Sequence, residues 1–287
     1  MSSSTDRGSS DASPIFTLYR GTAPLVVSVP HAGTRLPEAL KARLVPAAHA
    51  VPDTDWHLDR LYAFARDELG ASLIVPVHSR YVIDLNRPPE NTPMYAGVNN
   101  TELVPTRAFS GEPLYRDGVV PVEAEIAERR DIYWHPYHDA LAAELARVRA
   151  QHGHAVLWDG HSICGELPWL FPGRLPDLNL GTASGESCDP ALRSALMQVL
   201  ARQATFTHVT DGRFRAATSR ATSAARPSAC TRCSWRCAGP PTWKNARRST
   251  RRGARREAGA GVAGAAFRVP GLEARCLNRC SGRRAPG

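Results

Sequence analysis

Two histidines, a cluster of carboxylates and a group of arginines stand in this sequence where they could do chemistry. His31 follows the apolar run "PLVVSVP" and sits beside Gly33, where backbone can approach a ligand closely. His161 closes the run "AVLWDGH" behind the small residue Gly160. Two histidines and a carboxylate make a catalytic zinc set that leaves one position open for water. The candidate carboxylates are Asp53, Asp55 and Asp59 in "DTDWHLDRLY". For Asp53 and Asp59, capping and the acidic first turn of a helix are sufficient reasons to be there.

A second group lies in "SRYVIDLNRP", where Arg80, Asp84, Asn86 and Arg87 surround an apolar stretch. The planar guanidinium of Arg87 suits a substrate carboxylate held through two parallel hydrogen bonds. An Arg–Asp ion pair that ties down the chain would use the same residues. His135 and His138 in "YWHPYH" lie on one helical face. Their aromatic neighbours suit a packed interior, and a substrate contact by one of them, His138, is the alternative. No G-x-S-x-G, P-loop or Rossmann glycine pattern occurs, so serine-hydrolase and nucleotide chemistry lack their usual supports.

The elements that must position these residues alternate. "PLVVSVPHAG" predicts a buried strand ending before His31, and "DTDWHLDRLYAFARDELG" a helix closed by Gly70. "ASLIVPVHSRYVIDLNRPP" predicts a strand, a turn and a second strand, followed by a long Pro- and Gly-rich loop over 90–120 that would wall a site. "PVEAEIAERRDIYWHPYHDALAAELARVRAQHG" predicts one long helix or a kinked pair, "AVLWDGHSI" a buried strand, "PALRSALMQVLARQ" a helix, and "FTHVTDGRF" the start of a further strand. Such alternation predicts an α/β fold: a mostly parallel or mixed sheet flanked by helices, with ligands beyond the C-terminal strand ends. His31, the "DLNR" segment and His161 would then share one rim.

Charge divides the 287 residues unevenly. Of 36 Lys+Arg and 27 Asp+Glu, residues 214–287 hold 17 bases and only two acids, leaving 19 bases against 25 acids in the rest. Five of the seven cysteines also fall there: Cys230, Cys233, Cys237, Cys276 and Cys280. Their spacing lacks the partnering pair of a zinc finger, and the two remaining cysteines are no disulfide framework. The polar start "MSSSTDRGSSDASP" has no apolar core for a signal peptide, and no apolar run approaches the roughly 18 residues that span a bilayer. The expected compartment is the cytoplasm, with no membrane partner.

Taken together, "SVPHAGTRLPEAL", "DTDWHLDRLY", "SRYVIDLNRPP", "EPLYRDG", "YWHPYHDAL", "LWDGHSI" and "FPGRLPDLNLGT" resemble the N-formylglutamate amidohydrolase (deformylase) family over about residues 15 to 214. The resemblance implies a zinc-carboxypeptidase-like fold that cleaves N-formylglutamate to glutamate and formate in histidine degradation. It implies zinc or another divalent metal on His31, Asp55 and His161. Asn86 and Arg87 would hold a substrate carboxylate, and Arg80 would polarise the scissile carbonyl. The partner would be this small molecule, with no specific nucleic acid. An amidase for another N-acyl acidic amino acid is one alternative. A nucleic-acid-binding protein that uses its Arg- and Cys-rich tail is the other.

The resemblance also implies a general base in an "LQLE"-like strand near the C-terminus, which the sequence as written lacks. The genetic code offers a reason. Removing one base from TTC-AAG-GGC-GGC leaves TTC-AGG-GCG-GC, which reads as Phe214, Arg215 and Ala216. Read onward in the other frame, "RAATSRATSAARP" permits Gly-Gly-Tyr-Ile-Thr-Arg, and "ACTRCSWRCAG" permits Ala-Leu-Gln-Leu-Glu. Trp243 before Lys244 forces a glutamate. The expected organisation is a disordered leader over 1–13, an amidohydrolase domain over 14–214 that is incomplete at its C-terminus, and a non-native, disordered basic frameshift tail over 215–287. The chain as written would be impaired in activity.

Overall fold

A computed structural model describes residues 14–93, 99–214 and 230–239. The leader expected over 1–13 and most of the expected tail lie outside these. Seven strands form one mixed sheet: β1 Phe16–Tyr19, β2 Leu25–Ser28, β3 Ser72–Pro76, β4 Ala155–Cys164, β5 Leu178–Gly181, β6 His208–Thr210 and β7 Cys230–Gly239. Their order is β1-β3-β2-β4-β7-β5-β6. β2 runs parallel to β3 and β4, β4 to β7, and β5 to β6, whereas β1 and β5 meet their neighbours β3 and β7 antiparallel.

Alternation along the strands loads both faces. Val27, Val156 and Trp158 join Leu58, Tyr62, Leu192, Leu196 and Leu200 in one core cluster. Their neighbours Val26, Ala155 and Leu157 join Trp134, Tyr137, Leu141 and Val148 in a second on the opposite face. Because each face is buried, the central strands read as unbroken apolar runs. The helices are α1 Glu38–Lys41, α2 Leu58–Leu61, α3 Ala63–Asp67, α4 Glu123–Arg129, α5 His135–His152 and α6 Pro190–Arg202. α4 and α5 are continuous through a π-helical segment, Arg130–Trp134. No helix among the described residues is long and apolar enough to cross a membrane.

Three expectations change in detail. The helix expected over 53–70 is two short pieces, α2 and α3, after an irregular entry in which His57 takes a left-handed conformation, φ 65°. That entry is tied down elsewhere: the Asp53 carboxylate accepts from Tyr81 Oη at 2.9 Å and from the Phe109 amide at 2.8 Å. No second strand follows β3. Residues 78–87 form a buried loop whose polar groups bond locally, with Asp84 accepting from the Asn86 amide at 2.9 Å. Finally, ten residues beyond 214 do enter the sheet, as β7.

Candidate active site

The site is assembled from four pieces of backbone. His31 lies three residues past β2, and Asp55 is fixed beside it because its amide donates to the His31 carbonyl at 2.9 Å. His161 sits on β4, and the loop after β3 supplies Arg80, Asp84, Asn86 and Arg87. His31, Asp55 and His161 are all buried and can each offer one ligand atom, with these atoms within 4.8 Å of one another. His31 Nδ1 and His161 Nδ1 approach Asp55 Oδ2 at 3.5 and 3.3 Å. Of the three candidate carboxylates, Asp55 is the one in this cluster. Asp53 serves the Tyr81–Phe109 anchor described above.

Asp84 holds His31 from behind, accepting from Nε2 at 2.7 Å. This fixes the tautomer: Nε2 carries the proton and Nδ1 faces Asp55 as the bare nitrogen. Arg80 donates to the other Asp84 oxygen, lies 3.4 Å from His31 Nδ1, and stacks its guanidinium 4.4 Å over the Phe109 ring. Arg80 and Asp84 thus form the Arg–Asp ion pair that the motif allowed, and the pair also orients His31. Asp84 was visible in the motif, yet its role required knowing that residues 31 and 84 meet.

Electrostatics follow the burial. Desolvation alone would raise the Asp55 carboxyl, but its close contacts with His161 and His31 outweigh it and hold the group below the ordinary range. Asp84 is likewise pushed up by burial and pulled well down by Arg80, His31 and Arg87. Burial, helped by the nearby Arg236 cation, lowers His161 to about 3. Both aspartates are anions and His161 is neutral near pH 7, the protonation states a metal ligand set requires.

Above the cluster opens a cleft lined by His31, Arg80, Asn86, Arg87, Phe109 and Arg236, with Asn99–Thr101 and Arg213 on its wall. Asn99, Asn100, Thr101 and Phe109, from the long loop expected over 90–120, line this cleft. Arg213, which the sequence motifs do not single out, stacks 4.9 Å over Phe171. Arg87 is braced by Thr101, donating to its carbonyl at 2.9 Å. His138 does not line the cleft. Its Nε2 donates to the Leu85 carbonyl at 2.9 Å, and its ring lies 3.9 Å from that of Trp134, whose indole donates to the Arg87 carbonyl at 3.0 Å. Together these two side chains shape the backbone that presents Asn86 and Arg87. Gly33 also has a different use from the expected one: a Cβ there would lie 2.1 Å from the His78 carbonyl oxygen, so the close approach is to the next loop.

A buried His–Asp–His set beneath an arginine-lined cleft, at the carboxyl side of a mixed α/β sheet, forms a candidate enzyme site. The sequence model of the family described as N-formylglutamate amidohydrolase matches residues 23–231, and the chain belongs to that family. It is 48% identical over 201 residues to the N-formylglutamate deformylase of Pseudomonas putida, covering 70% of this chain and 74% of the relative. It is 50% identical over 201 residues to that of Pseudomonas aeruginosa, covering 70% and 75%. These relatives are hydrolases, and so is this chain by class. Among solved structures, the N-formylglutamate amidohydrolase of Ralstonia eutropha shares the fold at TM-score 0.71 with 20% identity, over 88% of this chain and 98% of its own. A gene product of Agrobacterium tumefaciens does so at 0.66 with 16% identity, over 89% and 95%.

Proposed function

We propose that this site is built to hydrolyse N-formyl-L-glutamate to L-glutamate and formate, with a divalent cation, zinc by donor chemistry, on His31, Asp55 and His161. The residues fit such an ion. Two imidazoles and a carboxylate are a usual zinc set, and Asp55 Oδ1 is buried with no hydrogen-bond partner, an oxygen that a cation would satisfy. Bound there, the ion would polarise the formyl carbonyl and lower the pKa of a water to about 7.

The chain's own residues do the positioning. Asp84 holds the His31 ring by its outer nitrogen. Arg87, braced by Thr101, and Asn86 face the cleft where a substrate carboxylate can be gripped by a planar fork. Arg80, buried against Phe109, is placed to donate to the carbonyl oxygen as charge develops on it. Phe109, Ile163 and Phe171 cover the cleft's apolar side and limit water. The observation that carries the reading is the convergence of His31, Asp55 and His161 directly under these arginines.

The test pairs metal content with substrate choice. One equivalent of zinc, lost in Asp55→Ala, together with binding of N-formylglutamate in preference to N-acetylglutamate and N-formylaspartate, is the expected result. Zinc retained by Asp55→Ala overturns the ligand set, and equal binding across the panel makes the protein a broader amidase for N-acyl acidic amino acids.

A further inference from the structure

Among the described residues the cleft lacks one component that hydrolysis needs. An amide is cleaved when water oxygen bonds to the carbonyl carbon and the C–N bond breaks, and a side chain must take the water's proton and deliver it to the departing amine. Among the described residues no Asp or Glu lines the cleft, and Asp55 and Asp84 are engaged by His31, His161 and Arg80. The place where such a group would stand is on β7.

β7 pairs along its whole length with β4, bringing Cys233 opposite Trp158, Trp235 opposite Gly160 and Arg236 opposite His161. Its pleat therefore has two faces. Cys233, Trp235 and Cys237 pack with the core cluster that holds Trp158, and Arg236 points the other way, into the cleft. Cysteine and tryptophan alternate on the core face of this strand, and they share a property: both codons begin with TG. With one base restored at codon 215, each later position takes the third base of the preceding codon and the first two of its own. Positions 233, 235 and 237 then all read NTG, which encodes only leucine, valine or methionine. Position 236 takes the G of the tryptophan codon followed by CG or AG, which encodes alanine or glutamate.

The other frame thus writes an aliphatic residue at every core-facing position of β7 described in the fold, and permits a carboxylate at the one position that faces the cleft. The two Pseudomonas deformylases match 70% of this chain and about three quarters of themselves, so substantial stretches on both sides lie outside a match of nearly 50% identity. The family match ends at residue 231, within the segment where the charge balance inverts.

We propose that residues 215–287 are the out-of-frame reading of codons that, with one base restored at codon 215, complete this fold and permit at position 236, facing the cleft, the carboxylate that the family resemblance implies as general base. The inference deepens the hydrolytic reading and rests on it for the role of that carboxylate, not for the frame. In the chain as written, Arg236 occupies that position with its guanidinium 4.4 Å over Phe214.

The test expresses both full chains, as written and with the base restored, each supplied with zinc. The restored chain is expected to be the more soluble, to melt in one cooperative step about 10 °C or more above the written one, and to release formate from N-formylglutamate. Changing its position-236 acid to glutamine should lower kcat by at least about 100-fold with zinc content and KM retained. A restored chain that is insoluble or melts no higher overturns the proposal. So does a written chain that is itself soluble and cooperative and loses stability on Arg232→Ala, because Arg232 donates to the buried Asp159 at 2.6 Å and would then be a native partner. A restored chain that folds cooperatively but hydrolyses nothing supports the frame and overturns the substrate reading instead.

Discussion

Asp84 shows how much one side chain can organise. It is fully buried, accepts from His31, Arg80 and the Asn86 amide, and so ties a candidate metal ligand to the arginine loop. Asp84→Asn keeps the shape but removes the charge that orients His31 and offsets Arg80. Zinc affinity should fall about 10- to 100-fold, as for other groups that hold a ligand from behind. The melting temperature should fall too, because the Arg80 guanidinium is left buried without its counter-charge. A zinc titration showing unchanged affinity would reduce Asp84 to an anchor for Arg80. His138 makes a different prediction. Burial lowers it to about 4, outweighing the Leu85 hydrogen bond that favours the protonated ring, and Nδ1 is buried with no hydrogen-bond partner. The folded value lies below the ordinary one, so the unfolded chain binds the proton first. Stability is whole above about pH 6.5 and is lost as pH falls toward 4, by about 3 kcal/mol from this residue. Melting curves taken across that range should show the slope, and His138→Gln should flatten it.

At the scale of elements, the buried strands were legible and the irregular segments were not. β2, β3 and β4 declare themselves as apolar runs because both faces are covered, which is a property of each strand's own residues. Residues 78–87 looked like another such run, "YVIDL" being apolar enough. The loop forms because Asp84 and Arg80 turn inward to His31, a partner roughly fifty residues distant in sequence. The entry to α2 misled for the same reason, being fixed by Tyr81 and Phe109 rather than by its own helical pattern. Gly33 tests this coupling between elements. Gly33→Ala would drive a methyl into the His78 backbone, which cannot retreat cheaply because the Thr34 and Arg35 amides both bond the Val77 carbonyl at 3.1 Å. The expected outcome is a loss of about 2 kcal/mol or more in chemical denaturation and weaker zinc binding through displacement of His31. A variant of full stability would show that the two loops are free to part.

For the molecule as a whole, the ligand set and the arginine cleft could be named from sequence only with the help of a resemblance, because spacing cannot show that residues 31, 55 and 161 converge. The charge split, by contrast, needed no structure. Residues 214–287 carry 17 bases against two acids, and a chain of that composition attracts polyanions whatever its origin. The written chain should therefore bind DNA, and the manner of binding separates the two accounts of the tail. A segment never selected for recognition binds through phosphate charge alone: affinity should be equal for unrelated sequences and fall by about 1,000-fold between 50 and 200 mM salt. Restoring the base at codon 215 rewrites those residues and should abolish the binding. The measurement is a salt series of fluorescence-polarisation titrations with two unrelated duplexes. A strong preference for one duplex, surviving at high salt, would show that the tail reads base edges, and a protein with a genuine nucleic-acid-binding segment would replace the frameshifted hydrolase.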